Sequence, residues 1–559
     1  MLRDQIKKDL ENAIGKVGQL AGGKVEVTRT IDSKFGDFST NAALKIKLSD
    51  KQSFSANKQS PIEFAKKLAD SLYNLPYIEK LEVAGPGFIN FFIKDSFWQK
   101  QVSDVLKSGK NYGSNNLGKS KKARVEFVSA NPTGPLHFGN ARGGPIGDSL
   151  ASVLEFCGFE VLREYYHNDV GGQVEKLAQS IFNLAIAKKL EEQEYKGEYV
   201  RELMQKFLLK TDEQKSSWDF KNPTNPLAKS ASTKLGKESV DFLLEQALDD
   251  CKKMGIEFDK VYSESDFFDS SKTVDAIDKL EKKGVLKAKD GAVWFAPNDK
   301  FLNDRETVVI KSDGSYTYFA NDIAYHDLKF SEGADLVIDV FGANHHGHIP
   351  RLQAAISALG YDERKFHVIL YQWVRFKRGG ELVKMSKRSG TFVTAREVID
   401  EVGKDAVRFM ILSHDANSHI DFDLDLAREQ TNKNPVFYVQ YAYARICSIL
   451  AKSKSARELK SESKNINYSL LKTKFELELI KEITKLPELV ENIASNFGVN
   501  QLTTYSTSLA DSFHRFYENC QVIGEDKDLE AARLALVSAC KITLENTLGL
   551  LGVSAPERM

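Results

Sequence analysis

The sequence predicts a multidomain α/β protein: a doubly wound, Rossmann-type parallel sheet in the middle, preceded by an N-terminal α+β domain and followed by a C-terminal all-α bundle. Three observations lead there. From residue 111 to residue 403, short β-rich runs alternate with helical stretches. From Lys404 onward strand signals vanish and apolar residues recur at helical spacing. The first 110 residues mix both patterns within one small unit. The expected domains are therefore 1–110, 111–403 and 404–559, in keeping with a prior of ~150 residues per domain.

In the first unit a helix is expected over Leu2–Val17, then the strand-like KVEVTRT, a turn and helix in GDFSTNAAL, and a helix over Pro61–Leu75. EVAGPGFINFFI follows, alternating as a strand does after its Gly-Pro-Gly turn. Between Lys100 and Arg124 only Asp104 interrupts a run of basic residues, which suits a solvated linker and a phosphate-facing surface equally. The middle unit opens with ARVEFVSA as a strand, NPTGP as a turn and Asn140–Phe156 as a helix. VLREYYHND, TVVIKSDG, DLVIDVFG and FHVILYQWV are the later strands expected in the parallel sheet. A helical insertion is expected over residues 175–285, with a polar, Pro-containing loop at SSWDFKNPTNPLAKSAS. The last unit reads as a helical bundle with a Lys/Ser-rich loop around Lys452–Lys464.

Composition narrows the function classes. Hydrophobic residues are 42% of the chain and charged residues 28%, enough apolar surface for several cores, which excludes a disordered chain. Lys plus Arg equals Asp plus Glu at 78 each, so general coating of nucleic acid is disfavoured, while local basic faces for a folded RNA are allowed. The five cysteines form no CxxC pair, so neither a zinc knuckle nor a disulfide framework is expected, and a reducing compartment fits. The N-terminus lacks an apolar signal core, and no apolar run reaches the ~18 residues of a membrane span. A soluble, cytoplasmic protein is the expectation.

Two motifs point to chemistry. SANPTGPLHFGNARGG, Ser129–Gly144, lies where a strand ends and a helix begins. In an open α/β sheet that is a ligand position, and free N–H groups at a helix start favour phosphate. His137 and Asn140, three apart, share one face of the first helical turn as possible donors. Farther along, LVKMSKRSGTFVT crowds Lys384, Lys387 and Arg388 beside Ser386. Cations on such a loop suit a polyphosphate whose charge grows in a transition state. Alone, each motif also fits a bland reading, an ordinary Gly/Pro turn and a solvated basic loop.

In this order the pair resembles the HIGH and KMSKS signatures of class I aminoacyl-tRNA synthetases. The HIGH-like motif ends in Asn140, which can donate to phosphate but carries no charge, and the second motif ends in Arg388. The resemblance to the arginyl-tRNA synthetase family runs along essentially the whole chain. It rests on GDFSTNAAL, VEFVSANPTGPLH, REYYHNDVGGQ, KSDGSYTYFANDIAYH, GANHHGHIPR, NPVFYVQYAYAR and LLGVSAPERM. The chain has no room for the editing insertion of the leucyl, isoleucyl and valyl enzymes, and its cysteines cannot build the cysteinyl zinc site.

The resemblance implies a catalytic middle domain, an N-terminal domain that touches the outer corner of tRNA and a C-terminal bundle that reads the anticodon. It implies ATP binding by Ala130, Asn131, Pro132, Thr133, Gly134, Pro135, Leu136, His137, Phe138, Gly139 and Asn140, and by Lys384, Met385, Ser386, Lys387 and Arg388. Within these, His137, Asn140, Lys384 and Lys387 take the catalytic roles. A pocket selective for arginine should pair fixed carboxylates with an aromatic wall, because the guanidinium is a planar, permanently charged fork of donors. The matching positions are Glu126, Tyr318 and Asp322, with Asn131 at the main-chain end of the amino acid and His345 along the pocket.

His345, His346 and His348 have no Cys or acidic partner at ligand spacing, so no structural metal is expected. Asp169 and Gln173 suit a pocket wall or simple capping equally. Phe437, Tyr441 and Arg445 recur on one helical face, a stripe that is core more often than a base-stacking surface. The resemblance brings Tyr438, Tyr441 and Arg445 to the tRNA surface. The expected partners are ATP with Mg²⁺, L-arginine and tRNA(Arg), acting on a monomer. A silent tRNA-binding paralogue would lack the phosphate motifs, and a nucleotidyl transferase without RNA would need no helical bundle.

Overall fold

The structure, a computed structural model, describes residues 2–17, 19–20, 24–47, 60–185, 189–207, 226–268, 271–302, 305–383, 393–453 and 466–559. The N-terminal unit comprises α1 (Leu2–Val17), β1 (Thr28–Arg29), β2 (Phe38–Thr40), α2 (Pro61–Leu72), β3 (Ile78–Ala84), β4 (Phe88–Ile93) and α3 (Asp95–Ser108). Its four-stranded antiparallel sheet runs β1-β2-β4-β3. One face is apolar, so Phe38, Ile89 and Phe91 bury against Ile6, Leu10, Phe64 and Leu68 of the helices. Helix α2 starts on a capping box, Ser60 with Glu63, and stops at Leu72, before the expected Leu75.

In the middle unit, β5 (Lys122–Phe127) is buried from Ala123 onward, as a strand must be when a parallel sheet is covered on both faces. The sheet is completed by β6 (Glu160–His167), β7 (Lys260–Ser263), β11 (Leu336–Gly342) and β12 (Phe366–Tyr371). All its pairings are parallel, in the order β12-β11-β5-β6-β7. The chain winds outward from β5 to β7, returns, and winds out again through β11 and β12. The switch point therefore lies between β5 and β11, where open sheets bind ligands beyond the carboxyl ends of their strands. Helix α4 (Gly143–Phe156) covers the sheet closely: a Cβ on Gly147 would lie 2.2 Å from the Phe127 ring, so only glycine fits.

Between β6 and β7 come α5 (Gly172–Ala185), α6 (Tyr199–Phe207) and α7 (Pro226–Lys253). The expected insertion therefore ends too late: β7 is a strand of the central sheet, and the helix after it, α8 (Ser271–Lys282), returns toward the body. The TVVI strand is also reassigned. Strands β8 (Leu286–Lys289), β9 (Ala292–Phe295) and β10 (Thr307–Ile310), which contains TVVI, form a separate antiparallel sheet. Period-2 alternation marks a strand without saying which sheet it joins.

Helices α9 (Tyr318–Ser331) and α10 (Ile349–Leu359) flank β11 in sequence. Beyond β12, β13 (Val374–Arg378) pairs in parallel with β14 (Ile420–Asp423), so one strand persists past Lys404 where none was expected. Helices α11 (Ala395–Val402) and α12 (Lys404–Leu412) lie between them. The bundle proper is α13 (Pro435–Lys452), α14 (Lys474–Ile483), α15 (Leu486–Asn496), α16 (Asn500–Asn519) and α17 (Lys527–Leu551). Helix α17 is long and apolar enough to cross a membrane by length and composition, but two thirds of that stretch is buried in the bundle.

Buried arginines join the units. Arg408 of α12 is fully buried; it donates to Asp148 of α4 at 2.6 Å, to the Leu551 carbonyl at 2.7 Å and to the Met254 carbonyl at 3.1 Å. Arg142, also fully buried, donates to the carbonyls of Gln372, Asp415 and Ser418, and burial pushes its guanidinium down to about 10. Arg29 clasps Glu488 of α15 at 2.9 and 3.1 Å while lying over the Phe38 and Trp98 rings. The N-terminal unit is thereby fixed to the helical bundle.

Candidate active site

At the end of β5 the backbone turns sharply. Val128 and Ser129 have φ of 68° and 39°, and Ser129 N–H donates to the Phe127 carbonyl at 3.0 Å, a γ-turn centred on a β-branched residue. Such strain, of order 1–3 kcal/mol per residue, persists only where the surroundings impose it. Here Tyr166 N–H donates to Ser129 Oγ at 3.1 Å and Tyr165 Oη donates to the Ala130 carbonyl at 2.8 Å. The chain then crosses the carboxyl edge of the sheet. Asn131 donates to Gln173 at 3.1 Å, and Tyr199 of α6 donates to the Thr133 carbonyl at 2.9 Å.

Pro132, Leu136 and Phe138 are buried, Phe138 against the rings of Phe376 and Phe422, so these three anchor the loop from below. His137 caps the short helix Phe138–Ala141, its Nδ1 accepting from Gly139 N–H at 2.8 Å. A Cβ at Gly139 would meet that nitrogen at 2.9 Å. Asn140 is exposed at the same helix start. Lys384, Met385, Ser386, Lys387 and Arg388 lie outside the described residues. The chain that follows them is tied directly to the first motif: Phe138 N–H donates to the Val393 carbonyl at 3.1 Å, and Ala395 N–H to the Leu136 carbonyl at 2.8 Å. His137 and Thr394 pair across that bridge. The flank that follows the second motif, Val393–Ala395, thus lies directly beside the first motif.

Beside this edge lies a cluster of acidic side chains. Tyr318, at the start of α9, is half-exposed, and one turn on Asp322 takes His348 Nε2 at 3.0 Å. Glu264, just after β7, accepts from Asn321 Nδ2 at 2.8 Å, and burial pushes its carboxyl up to about 8. Asp169 accepts from Ser265 N–H at 2.9 Å and Ser265 Oγ at 2.6 Å, so it caps the short helix Ser265–Phe268. Among the described residues the Tyr166 hydroxyl is buried without a hydrogen-bond partner; burial, then Asp322, Glu264, Glu126 and Asp169, push that phenol well up. A cluster so rich in carboxylates, around a hydroxyl with no partner among the described residues, suits a planar cation with several donors.

The sequence-based residues divide accordingly. Asp322, Tyr318 and Asn131 come to the cluster or its rim. Glu126 is only 3% exposed, and Lys329 Nζ holds its Oε2 at 2.6 Å. Burial raises its carboxyl while Lys329 works against that rise. Its position is therefore the floor beneath the cluster, not an open wall. His345 is exposed beside the Phe341 ring at 5.3 Å, and Asp322 is engaged by His348 instead. Of the open alternatives, Asp169 caps and Gln173 pairs with Asn131. Glu264 and Tyr166 escaped the sequence reading; only the acid within the short run SES hinted at the first.

In the bundle, Phe437 and Tyr441 stack at 6.2 Å, and Arg445 lies over Tyr441 and Tyr517 at 4.8 and 5.0 Å. A cavity of about 810 Å³ opens there, lined by Tyr441, Arg445, Tyr517 and the terminal Arg558 and Met559. Tyr438 lies to one side, donating to Asp511 at 2.6 Å.

A sheet wound in this order, with a phosphate-type loop at the switch point bonded to a second motif's flank, defines a class I synthetase catalytic domain. Residues 101–425 match the family of class I (R) tRNA synthetase catalytic domains. Residues 3–93 match the arginyl tRNA synthetase N-terminal domain, and residues 439–559 the DALR anticodon binding domain. An arginine–tRNA ligase of Geobacter sp. (strain M21) is 41% identical, the match covering 100% of this chain and 99% of that one. One of Moorella thermoacetica is 42% identical, covering 94% and 92%. The arginyl-tRNA synthetase of Thermus thermophilus shares the fold with a TM-score of 0.79 at 23% identity, covering 100% of both chains. The chain belongs to the arginyl-tRNA synthetase family.

Proposed function

We propose that this chain is an ATP-dependent arginine–tRNA ligase. The observation that supports it best is the cluster of carboxylates around Tyr166 and Asp322, beyond the carboxyl ends of β6 and β7 and beside a loop bonded to the flank of the basic motif. Arginine enters with its guanidinium toward Asp322 and Glu264, its side chain along Tyr318 and its main-chain end at Asn131. Its carboxylate oxygen attacks the α-phosphorus of ATP in line, and the bond to the bridging β-phosphate oxygen breaks, releasing pyrophosphate. A carboxylate is already a nucleophile at neutral pH, so the protein contributes positioning and charge stabilisation. His137 and Asn140 hold phosphate from the helix start, and Lys384 and Lys387 stabilise the leaving pyrophosphate. Mg²⁺ arrives with the nucleotide phosphates.

In the second step a ribose hydroxyl of the terminal adenosine of tRNA(Arg) attacks the arginyl carbonyl; AMP leaves and the hydroxyl proton is lost. Tyr441 and Arg445, with Tyr438 beside them, receive unstacked bases, because aromatic and guanidinium faces stack on any base. The 1–110, 111–403 and 404–559 units divide the work as corner contact, catalysis and anticodon reading. The clasp of Arg29 on Glu488 holds the N-terminal unit against the bundle within one chain, and the proposal takes that chain to act as a monomer in the cytoplasm. The test is charging of total tRNA with each of the twenty amino acids, plus ATP–pyrophosphate exchange with and without tRNA. Arginine-only charging is expected, with exchange appearing only when tRNA is present. Charging of another amino acid overturns the pocket assignment.

A further inference from the structure

Beneath the cluster, between α9 and the central sheet, lies a chain of buried ionic contacts that the reaction does not use directly. On α9, His326 Nδ1 lies 2.7 Å from the Asp322 carbonyl oxygen and Nε2 lies 2.9 Å from Asp339 Oδ2 of β11. Asp339 Oδ1 takes Lys329 Nζ at 2.8 Å, and the same nitrogen reaches Glu126 Oε2 of β5 at 2.6 Å. Arg124 of β5 pairs with Glu164 of β6, and Tyr325 Oη donates to Glu164 Oε2 at 3.1 Å. The Phe366 ring of β12 closes the remaining side of the imidazole, edge-on at 5.3 Å.

Both atoms facing the imidazole are oxygens that only accept. A carbonyl has no proton to give, and against the opposing effect of burial the ammonium of Lys329, 2.8 Å from Oδ1, favours the ionised Asp339 carboxylate. A neutral imidazole has one N–H and one lone pair, so one contact at 2.7–2.9 Å would set lone pair against lone pair. An imidazolium satisfies both. The surrounding charges favour it: Arg124 and Lys329 face Glu126, Glu164 and Asp339, with the more exposed Glu332 also on Arg124, so carboxylates outnumber the other cations in a layer where an unpaired charge is costly.

We infer that His326 is held as a buried imidazolium and serves as a positioning residue for the guanidinium pocket, fixing the backbone of Asp322 to Asp339 of the central sheet. The inference rests on the reading of Asp322 as an arginine ligand. His326 touches no substrate. It acts through the turn of α9 that holds Tyr318 and Asp322, so its loss should affect arginine and leave ATP alone. A residue that merely fills the core would affect both substrates or neither.

Two measurements test it, and the first needs no variant. In ¹⁵N-histidine NMR of the full chain at pH 9, exposed histidines are neutral, since an ordinary imidazole titrates near ~6.5. One ring among the ten should keep both N–H protons, with both protected from solvent exchange. If every ring shows a lone-pair nitrogen at pH 9, the inference fails. The second uses His326→Gln, which still donates to Asp339 but removes the side-chain donor from the Asp322 carbonyl, leaving it only its helical backbone bond. The KM for arginine in tRNA-dependent exchange should rise about tenfold, equivalent to ~1.4 kcal/mol, with the KM for ATP changed less than about twofold. Equal increases for both substrates, or none, overturn the positioning role. A wild-type chain that charges no arginine, yet keeps the protonated ring, instead refutes the pocket reading on which this rests.

Discussion

Replacing Gly552 by alanine should unfasten the helical bundle from the catalytic domain. Gly552 ends α17 in the left-handed conformation, φ 65°, with its N–H bonded to the Gly549 and Leu548 carbonyls. Any Cβ there costs roughly 1 kcal/mol in backbone strain. The larger effect is steric: that Cβ would lie 2.3 Å from Arg408 Cζ and from Nη2, so the guanidinium must move. Arg408 has no exposed surface, and it donates to Asp148, to the Leu551 and Met254 carbonyls and, at 3.4 Å, to Ser149. Displacing it leaves Asp148 in a buried layer without this partner, and breaking a buried pair from one side costs about 3–5 kcal/mol. Arg163 still reaches Asp148 at 3.2 Å, so the lower end applies and the total is about 4 kcal/mol. At ~2–4 °C per kcal/mol for a unit of this size, the bundle should melt about 8–16 °C lower by circular dichroism at 222 nm. The same substitution in an Arg408→Met background should cost only about 1 kcal/mol, because the clash has gone. A single variant melting within ~3 °C of the parent, or equal costs in both backgrounds, would refute the reasoning.

Three further outcomes follow from the site. Lys387→Ala should slow adenylate formation by at least ~10²-fold in pre-steady-state exchange, with tRNA affinity nearly unchanged; equal loss of both removes the pyrophosphate role from that loop. Asp322→Asn should raise the KM for arginine about 10–150-fold, the worth of one charge-assisted hydrogen bond, while the KM for ATP holds; a matched rise in the two would move Asp322 out of the pocket. Burial puts the Glu264 carboxyl at about 8, up from 4.5, so the folded chain holds a proton there that the unfolded chain lacks, and this group's contribution to stability falls as pH climbs through that window. A guanidinium favours the ionised form, so arginine binding at pH 7 should release up to about one proton and tighten toward pH 8, read by calorimetry in buffers of different ionisation enthalpy. Proton uptake, or none, would place the guanidinium elsewhere.

Much of this protein is local and therefore legible in the chain. The β-then-α alternation, the helical tail and the Gly/Pro turn before His137 follow from side-chain periodicity and backbone preference over a few residues. The phosphate-type loop could be found because its chemistry is contiguous: Asn131, His137 and Asn140 lie within one turn and a helix start. What the sequence left open depended on distance. KVYS is too short for its period to betray a strand, yet it closes the edge of the central sheet, and TVVI alternates like a sheet strand while pairing elsewhere. Glu126 looked like a free ligand until Lys329, from another element, was found on it. Glu264 looked incidental until Asp322 and Tyr166 were found beside it. Periodicity and propensity report which face of an element turns inward. Which charges meet there is decided by long-range packing, because only in the folded core does losing water make each buried charge choose a partner.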